Sequence, residues 1–207
     1  MALDTEEEQI EKLERIWNNH KRLIIASVAI LLGGYFLFNI YLDKKIRNNE
    51  QASAMYQEIL IKKITEIDLI EKKVSLLKIN APNTPYASRA AIYLSRLYSQ
   101  ENKNTEAIKE LIWASNNATE ESIASMAYYT LANLYFVAGN LDEAMTAANK
   151  IDSVGFQSLA KDIIGDIYLK QGNDEQAKKS YLKSLDLNKG QGDLRKILQN
   201  KIDSIGR

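Results

Sequence analysis

The sequence of 207 residues contains no cysteine, one histidine and two prolines. Without cysteine the chain forms no disulfide and no cysteine-ligated zinc site, and it has no thiol nucleophile. The single histidine, His20, excludes histidine-rich metal sites and argues against a histidine-based catalytic triad. Two prolines and nine glycines provide few turn residues, which argues against a β-sandwich or barrel. We expect no cofactor and no metal.

Charge of one sign is not in excess, because 27 basic residues balance 27 acidic ones. A neutral chain is not suited to neutralising phosphates, so we expect no nucleic-acid partner. The sequence contains neither a phosphate-binding glycine loop nor an HExxH zinc motif. Its acidic pairs Glu120-Glu121 and Asp142-Glu143 lie where helices are expected to begin, and negative charge is favourable there. We therefore predict that the protein is not an enzyme and has no small-molecule substrate.

One apolar run is long enough to cross a membrane. Residues 23–42 carry no charge, and twenty helical residues span about 30 Å, the thickness of a hydrocarbon core. The run exceeds a signal-peptide core, and the small-residue stretch 52–54 lies too far beyond it to be a cleavage site. We predict an uncleaved signal anchor. Ala26, Ala29 and Gly33 share one face of this helix and could pack against another helix in lipid, although chance explains them equally well.

The flanking charges do not orient the anchor, because four basic residues precede it and four follow within twenty residues. Residues 5–19 place Ile10, Leu13, Ile16 and Trp17 on one stripe of a helix. This segment is either an interfacial helix or a solvated extension of the anchor.

The remaining sequence has an internal repeat. Tyrosine and alanine are separated by nine residues three times, and each pair encloses a turn rich in glycine or asparagine. The three pairs are Tyr98 and Ala107, Tyr135 and Ala144, and Tyr168 and Ala177. Gly and Asn in these turns suit the end of one helix and the start of the next.

The spacing resembles the tetratricopeptide repeat, a helix–turn–helix unit of 34 residues. Its small-residue position falls on Ser95, Ala132 and Gly165, where we expect close helix approach and the repeat tyrosine filling the adjoining gap. We predict an all-α fold with one N-terminal transmembrane helix followed by a right-handed α-solenoid. The predicted divisions are an N-terminal segment (1–22), the anchor (23–42), the repeat domain (43–207), degenerate repeats (about 86–118, 121–154 and 156–188) and a C-terminal capping helix (about 193–205).

Two further helical elements frame the repeats. Residues 48–63 and 66–80 predict a helix pair ended by the segment that contains both prolines. In the capping helix we expect Leu194, Ile197, Leu198 and Ile202 on the buried stripe, since a solenoid must cover its last apolar face.

The first helices of such repeats line a concave groove, which we predict to bind a protein partner. The groove mixes aromatic residues and methionine with basic residues at one end and acidic residues at the other, a composition suited to peptide or helix recognition. Packing against the preceding hairpin or the C-terminal helix is the alternative for some positions. The predicted groove residues are Arg89, Ile92, Arg96, Met126, Tyr129, Asn133, Phe136, Asp162, Asp166 and Leu169.

Nearly the full length of the chain resembles the YfgM family of bacterial inner-membrane proteins. The resemblance rests on the order of its parts, on residues 43–56, on the turn at 172–174 and on residues 198–203. It implies a cytoplasmic N-terminus, a periplasmic repeat domain, and partnership with the SecYEG translocon, a PpiD-like periplasmic chaperone and emerging secretory chains. The resulting hypothesis is a membrane-anchored interaction module of protein secretion. The alternatives are a regulatory adaptor that sequesters a cytoplasmic signalling partner through the acidic N-terminal segment, and a scaffold for cell-envelope assembly.

Overall fold

The computed structural model describes residues 6–61, 67–188 and 192–206, and the regular structure in these ranges is entirely helical. The predicted all-α class is confirmed. Residues 62, 63 and 66 of the predicted helix pair and residue 5 of the N-terminal stripe lie outside the described residues. The helices are α1 (Glu6–Ile61), α2 (Ile67–Asn80), α3 (Pro85–Gln100), α4 (Asn104–Asn117), α5 (Glu121–Ala138), α6 (Leu141–Ala148), a 3₁₀ helix η1 (Val154–Phe156), α7 (Gln157–Lys170), α8 (Asp174–Leu187) and α9 (Asp193–Ser204).

Helix α1 is longer than the sequence predicts. The anchor and the helix expected from residue 48 are parts of one unbroken helix of 56 residues. Residues 43–50 contain no glycine or proline, so nothing in them ends a helix. By length and composition α1 can cross a membrane, and none of its most apolar window is buried within protein. The chain divides into two compact units, one ending at Asn48 and the other beginning at Asn49.

The three repeat turns share one hydrogen-bonding pattern. In each turn one residue adopts the left-handed conformation: Asn102, Gly139 and Gly172, with φ of 59°, 84° and 76°. The next backbone N–H donates to the carbonyl of the repeat tyrosine, at 2.8 Å from Lys103, 2.9 Å from Asn140 and 2.9 Å from Asn173. This is the Schellman arrangement, which glycine and asparagine favour because they tolerate positive φ. It explains why the tyrosine and the turn residue recur together.

Small residues allow the paired helices to approach closely. Ala107, Ala144 and Ala177, one turn into each second helix, are fully buried. A Cβ at Gly165 of α7 would lie 2.4 Å from the Tyr181 ring of α8, so only glycine fits there. The gap beside the small-residue position is thus filled by Tyr181. Tyr168 of the same helix is partly buried and packs against the apolar clusters on both sides.

The helices that precede the repeats belong to the same core. Ala52 and Ile59 at the end of α1 and Ile70, Val74 and Leu77 of α2 are buried in one apolar cluster with residues of α3. Complete burial of one aliphatic side chain contributes about 1.5–3 kcal/mol, so this contact firmly fixes the first end of the array.

Helix α9 covers the other end. Leu198 and Ile202 are buried in a cluster with Ala177 and Tyr181 of α8. The expectation that Ile197 shares the buried stripe is wrong, since this side chain is 48% exposed. Residues 198 and 202 are one turn apart and face α8, whereas residue 197 points about 100° away from residue 198 around the helix.

Candidate protein-binding groove

The residues predicted to line a groove lie on α3, α5 and α7, the first helices of the three hairpins. Four of them meet at one cavity of about 540 Å³ between the end of α1, α3, α5 and η1: Arg89, Ile92, Arg96 and Met126. We call this cavity the basic groove. It is lined by Tyr56, Arg89, Ile92, Tyr93, Arg96, Ser99, Ser122, Ile123, Met126, Thr130 and Phe156.

The basic groove combines an apolar surface with positive charge. Its lining includes two arginines and no acidic residue. Arg89 Nη2 donates to Glu120 Oε2 at 3.3 Å, and both side chains are more than 40% exposed. Arg96 is exposed and forms no ion pair with any residue that the structure describes. An exposed ion pair contributes little free energy, so the Arg89–Glu120 contact is easily replaced.

Apolar side chains in the basic groove are partly accessible. Met126 is 44% exposed, and Ile92 is half-buried beside it. Tyr56 contacts Tyr86 with ring centroids 5.9 Å apart. Burial raises the pKa of the Tyr56 hydroxyl, and the positive charge of Arg89 opposes this shift. The groove therefore offers adaptable and aromatic apolar contacts beside two cationic groups.

The central positions are less open. Tyr129, Asn133 and Phe136 of α5 are half-buried, and the two aromatic rings pack against the apolar core. Asn133 Nδ2 donates to the Tyr129 carbonyl at 2.8 Å. Lys170 of α7 places its Nζ 4.8 Å from the centre of the Phe136 ring and 3.2 Å from the Phe136 carbonyl oxygen. One face of Phe136 is thus already occupied by a cation.

The acidic end is occupied by the chain itself. Lys201 Nζ of α9 donates to Asp162 Oδ1 at 2.7 Å and to both Asp166 oxygens at 2.7 and 2.8 Å. The Tyr181 hydroxyl donates to Asp166 Oδ1 at 2.7 Å. Packing against the C-terminal helix, the alternative weighed for some groove positions, is thus what the structure has here. Leu169, further along α7, is 39% exposed.

Burial and charge act against each other in this cluster. Burial raises the pKa of Asp162 above its ordinary value, although Lys201 opposes the shift. Burial lowers the pKa of Lys201, but its hydrogen bonds to Asp162 and Asp166 outweigh burial and the net pKa is raised. Burial, together with the Asp166 carboxylate, raises the pKa of Tyr181. Both groups that face Asp166 therefore hold their protons firmly, and the cluster is a structural ion pair.

The small residues of the apolar run lie on α1, and Ala26, Ala29 and Gly33 are all exposed. A Cβ at Gly33 would meet nothing within 4 Å.

Among the described residues no group of three or more histidine, cysteine, aspartate or glutamate side chains is placed to hold a metal ion.

Sequence reasoning missed four residues of the array's surface: Tyr56, Phe156, Lys170 and Lys201. Phe156 lies in η1, outside any repeat helix, and Tyr56 belongs to the helix before the repeats. Lys170 and Lys201 contact positions 34 and 35 residues earlier in the chain. Lys170 and Phe136 are 34 residues apart, which is the length of one repeat. A lysine at the position of the next repeat that corresponds to Phe136 was therefore the available sequence signal for this contact.

Comparison with known proteins supports this description. A family described as "Tetratricopeptide repeat-like domain" matches residues 14–207. A protein of Aggregatibacter actinomycetemcomitans named "Ancillary SecYEG translocon subunit" is 28% identical over 186 residues, which cover 87% of this chain and 89% of that one. Proteins with the same name from Neisseria gonorrhoeae and Haemophilus influenzae are 23% and 27% identical, and they cover 99% and 87% of this chain. The alignments cover 100% and 89% of those chains.

A solved structure shows the same fold. The crystal structure of nearly identical tetratricopeptide-like repeats of a Podosopora anserina kinesin light chain superimposes with a TM-score of 0.54 at 15% identity. The match covers 77% of this chain and 83% of that one. It confirms the predicted repeat-like α-solenoid. Membership of a repeat family, rather than any absence in the structure, supports the prediction that the protein is not an enzyme. The chain therefore belongs to the tetratricopeptide repeat-like proteins of the YfgM family.

Proposed function

We propose that this protein is a membrane-anchored interaction module ancillary to a SecYEG translocon. The main support is a combination of two observations. The repeat array has an open, partly apolar groove, and the chain aligns over nearly the whole length of relatives that are named as translocon subunits. An apolar helix able to cross a membrane precedes the array in the same chain. Repeat arrays bind other proteins through such extended surfaces.

The proposal includes the finer arrangement that the family resemblance implies. Residues 1–22 lie in the cytoplasm, 23–42 cross the inner membrane, and 43–207 form a periplasmic domain. In the periplasm the repeat array contacts a PpiD-like chaperone and secretory chains that emerge from the channel. The ten groove residues predicted from the sequence remain candidates for these contacts, with Asp162 and Asp166 limited by their ion pair to Lys201.

Site-directed photocrosslinking in intact membranes tests the partnership. A photoreactive amino acid replaces Met126, which is 44% exposed in the basic groove. The matched control carries it at Leu182 of α8, which is 49% exposed and does not line that groove. We expect mass spectrometry to identify translocon or chaperone chains from position 126 and not from position 182. A soluble transcription regulator or an envelope synthase at position 126 would instead support one of the alternative functions.

The absence of cysteine provides a clean test of orientation. Glu7→Cys and Lys178→Cys each introduce one thiol at an exposed position of the chain. A membrane-impermeant maleimide should label Lys178→Cys in intact spheroplasts and Glu7→Cys only after lysis. The reverse pattern would place the repeats in the cytoplasm and would contradict the proposed orientation.

A further inference from the structure

The two ends of the repeat array differ in whether their charged side chains are covered by another element of the chain. Asp162 and Asp166 of α7 both accept hydrogen bonds from Lys201 of α9, and all three side chains are less than one-third exposed. Arg89 of α3 pairs with the exposed Glu120 at 3.3 Å, and Arg96 forms no ion pair with any residue that the structure describes. An exposed arginine without an ion pair, beside another in an exposed and weak pair, favours a partner that supplies carboxylates.

The chain itself demonstrates which kind of partner fits an array end. In α9, Leu198 and Ile202 contact the array through apolar atoms, and Lys201 lies between them and reaches the carboxylates. Apolar and charged contacts thus come from a single helical turn. The basic groove presents the same combination with the opposite sign, since Ile92 and Met126 lie beside the two arginines.

We propose that the basic groove binds an amphipathic helix of a partner protein that carries carboxylates beside its apolar residues. Apolar side chains of this helix enter the cavity against Ile92 and Met126, and its carboxylates pair with Arg96 and displace Glu120 from Arg89. The volume of about 540 Å³ is large enough for several side chains of a partner helix. This inference rests on the proposed function and specifies the partner of the same groove.

Three fluorescein-labelled peptides of about 18 residues probe this proposal. They share one helical pattern of leucine and alanine, and their remaining positions are all glutamate, all glutamine or all lysine. Each peptide is titrated against the full chain in phosphatidylcholine nanodiscs, with empty nanodiscs as background. We expect the glutamate peptide to bind at least about tenfold more tightly than the lysine peptide, with the difference shrinking at high salt.

Charge reversal locates the binding. The double substitution Arg89→Glu and Arg96→Glu should weaken binding of the glutamate peptide by about tenfold or more. Lys178→Glu with Lys179→Glu is the matched control, because it makes the same change in net charge on exposed residues of α8. Equal weakening by both pairs would mean that the peptide senses only net charge, and the proposal would be wrong.

One variant is expected to gain affinity, which misfolding cannot imitate. Glu120 makes no side-chain cap to α5, so Glu120→Gln removes the acid that competes for Arg89 without removing a capping hydrogen bond. We expect the glutamate peptide to bind about twofold to fivefold more tightly. No gain, together with equal binding of the three peptides, would overturn the inference. If crosslinks to the translocon still form at position 126, only the partner's charge is wrong; if peptides bind but those crosslinks are absent, the proposed function is wrong.

Discussion

The first and third hairpins of this protein are built from the same helix–turn–helix unit, but their groove surfaces differ in accessibility. In the third hairpin, two carboxylates of α7 are covered by a lysine of the capping helix. In the first hairpin, two arginines of α3 face an open cavity. Both surfaces occupy the groove positions of a first helix, so repeat position alone does not decide which surface is available. The element packed beside it decides.

The contrast also separates structural charge from charge that is available for binding. Lys201, Asp162 and Asp166 are all less than one-third exposed, whereas Arg89 and Glu120 are more than 40% exposed. Breaking a partly buried cluster leaves a charge without a partner and destabilises the fold. Changing an exposed pair mainly alters association. The same substitution type should therefore give different measurements at the two ends.

The largest expected effect is at the third hairpin, where α9 covers the array; we call this the closed end. Tyr181 is fully buried, its ring packs against Gly165, and its hydroxyl donates to Asp166. Tyr181→Ala should lower the free energy of unfolding by about 3–5 kcal/mol, because it leaves a cavity and removes a hydrogen bond. Urea unfolding of the full chain in detergent, followed by circular dichroism, measures this. Leu182→Ala, at a neighbouring position that is 49% exposed, should cost less than about 1 kcal/mol. Similar losses for both variants would mean that α7 and α8 are not held together at Tyr181.

Removal of Lys201 should leave the carboxylates of the closed end available to a partner, as the arginines of the first hairpin are. Lys201→Met leaves Asp162 and Asp166 without their cation, and we expect a loss of about 1–3 kcal/mol, given the partial exposure of the cluster. The lysine peptide described above should then gain affinity for the chain. Lys196→Met, on the exposed side of α9, is the control and should change neither measurement. A stable Lys201→Met variant that still rejects the lysine peptide would show that charge does not keep this end closed.

The central aromatic residues should show an intermediate effect. Buried anchors near the centre of a contact contribute about 2 kcal/mol or more each, whereas exposed charges mainly affect encounter rate. We expect Phe136→Ala or Tyr129→Ala to reduce recovery of membrane partners strongly, and Arg96→Ala modestly and mainly at low salt. Circular dichroism must first show retained helices, because both rings pack against the core. Wild-type recovery by folded aromatic variants would assign the contact to another surface.

Much of the fold could be predicted from the sequence because local signals carry it. The tyrosine, turn and alanine recur at fixed spacing since each turn needs a left-handed residue and each second helix needs a small buried one. Long-range relations were not predictable in the same way. The space beside Gly165 is filled by Tyr181, which is 16 residues away in the sequence. Asp166 is paired with Lys201, which is 35 residues away. The continuity of α1 was missed because the change from apolar to polar residues was interpreted as a boundary, although nothing there breaks a helix.

The smallest effect concerns pH and tests whether the Lys201 ion pair is what stabilises the closed end. The pKa of Lys201 is raised above its ordinary value of 10.5, so its contribution to stability is fully present below pH 10.5 and is lost as the pH rises through the folded-state pKa. The difference in unfolding free energy between the natural chain and Lys201→Met should therefore stay constant from neutral pH to about 10 and fall above it. The Tyr181 pKa is raised as well, and it affects both proteins, so the comparison removes most of its contribution. Urea unfolding of the two proteins at a series of alkaline pH values measures the difference. A difference that is unchanged above pH 10.5 would mean that the charge of Lys201 is not what stabilises the closed end.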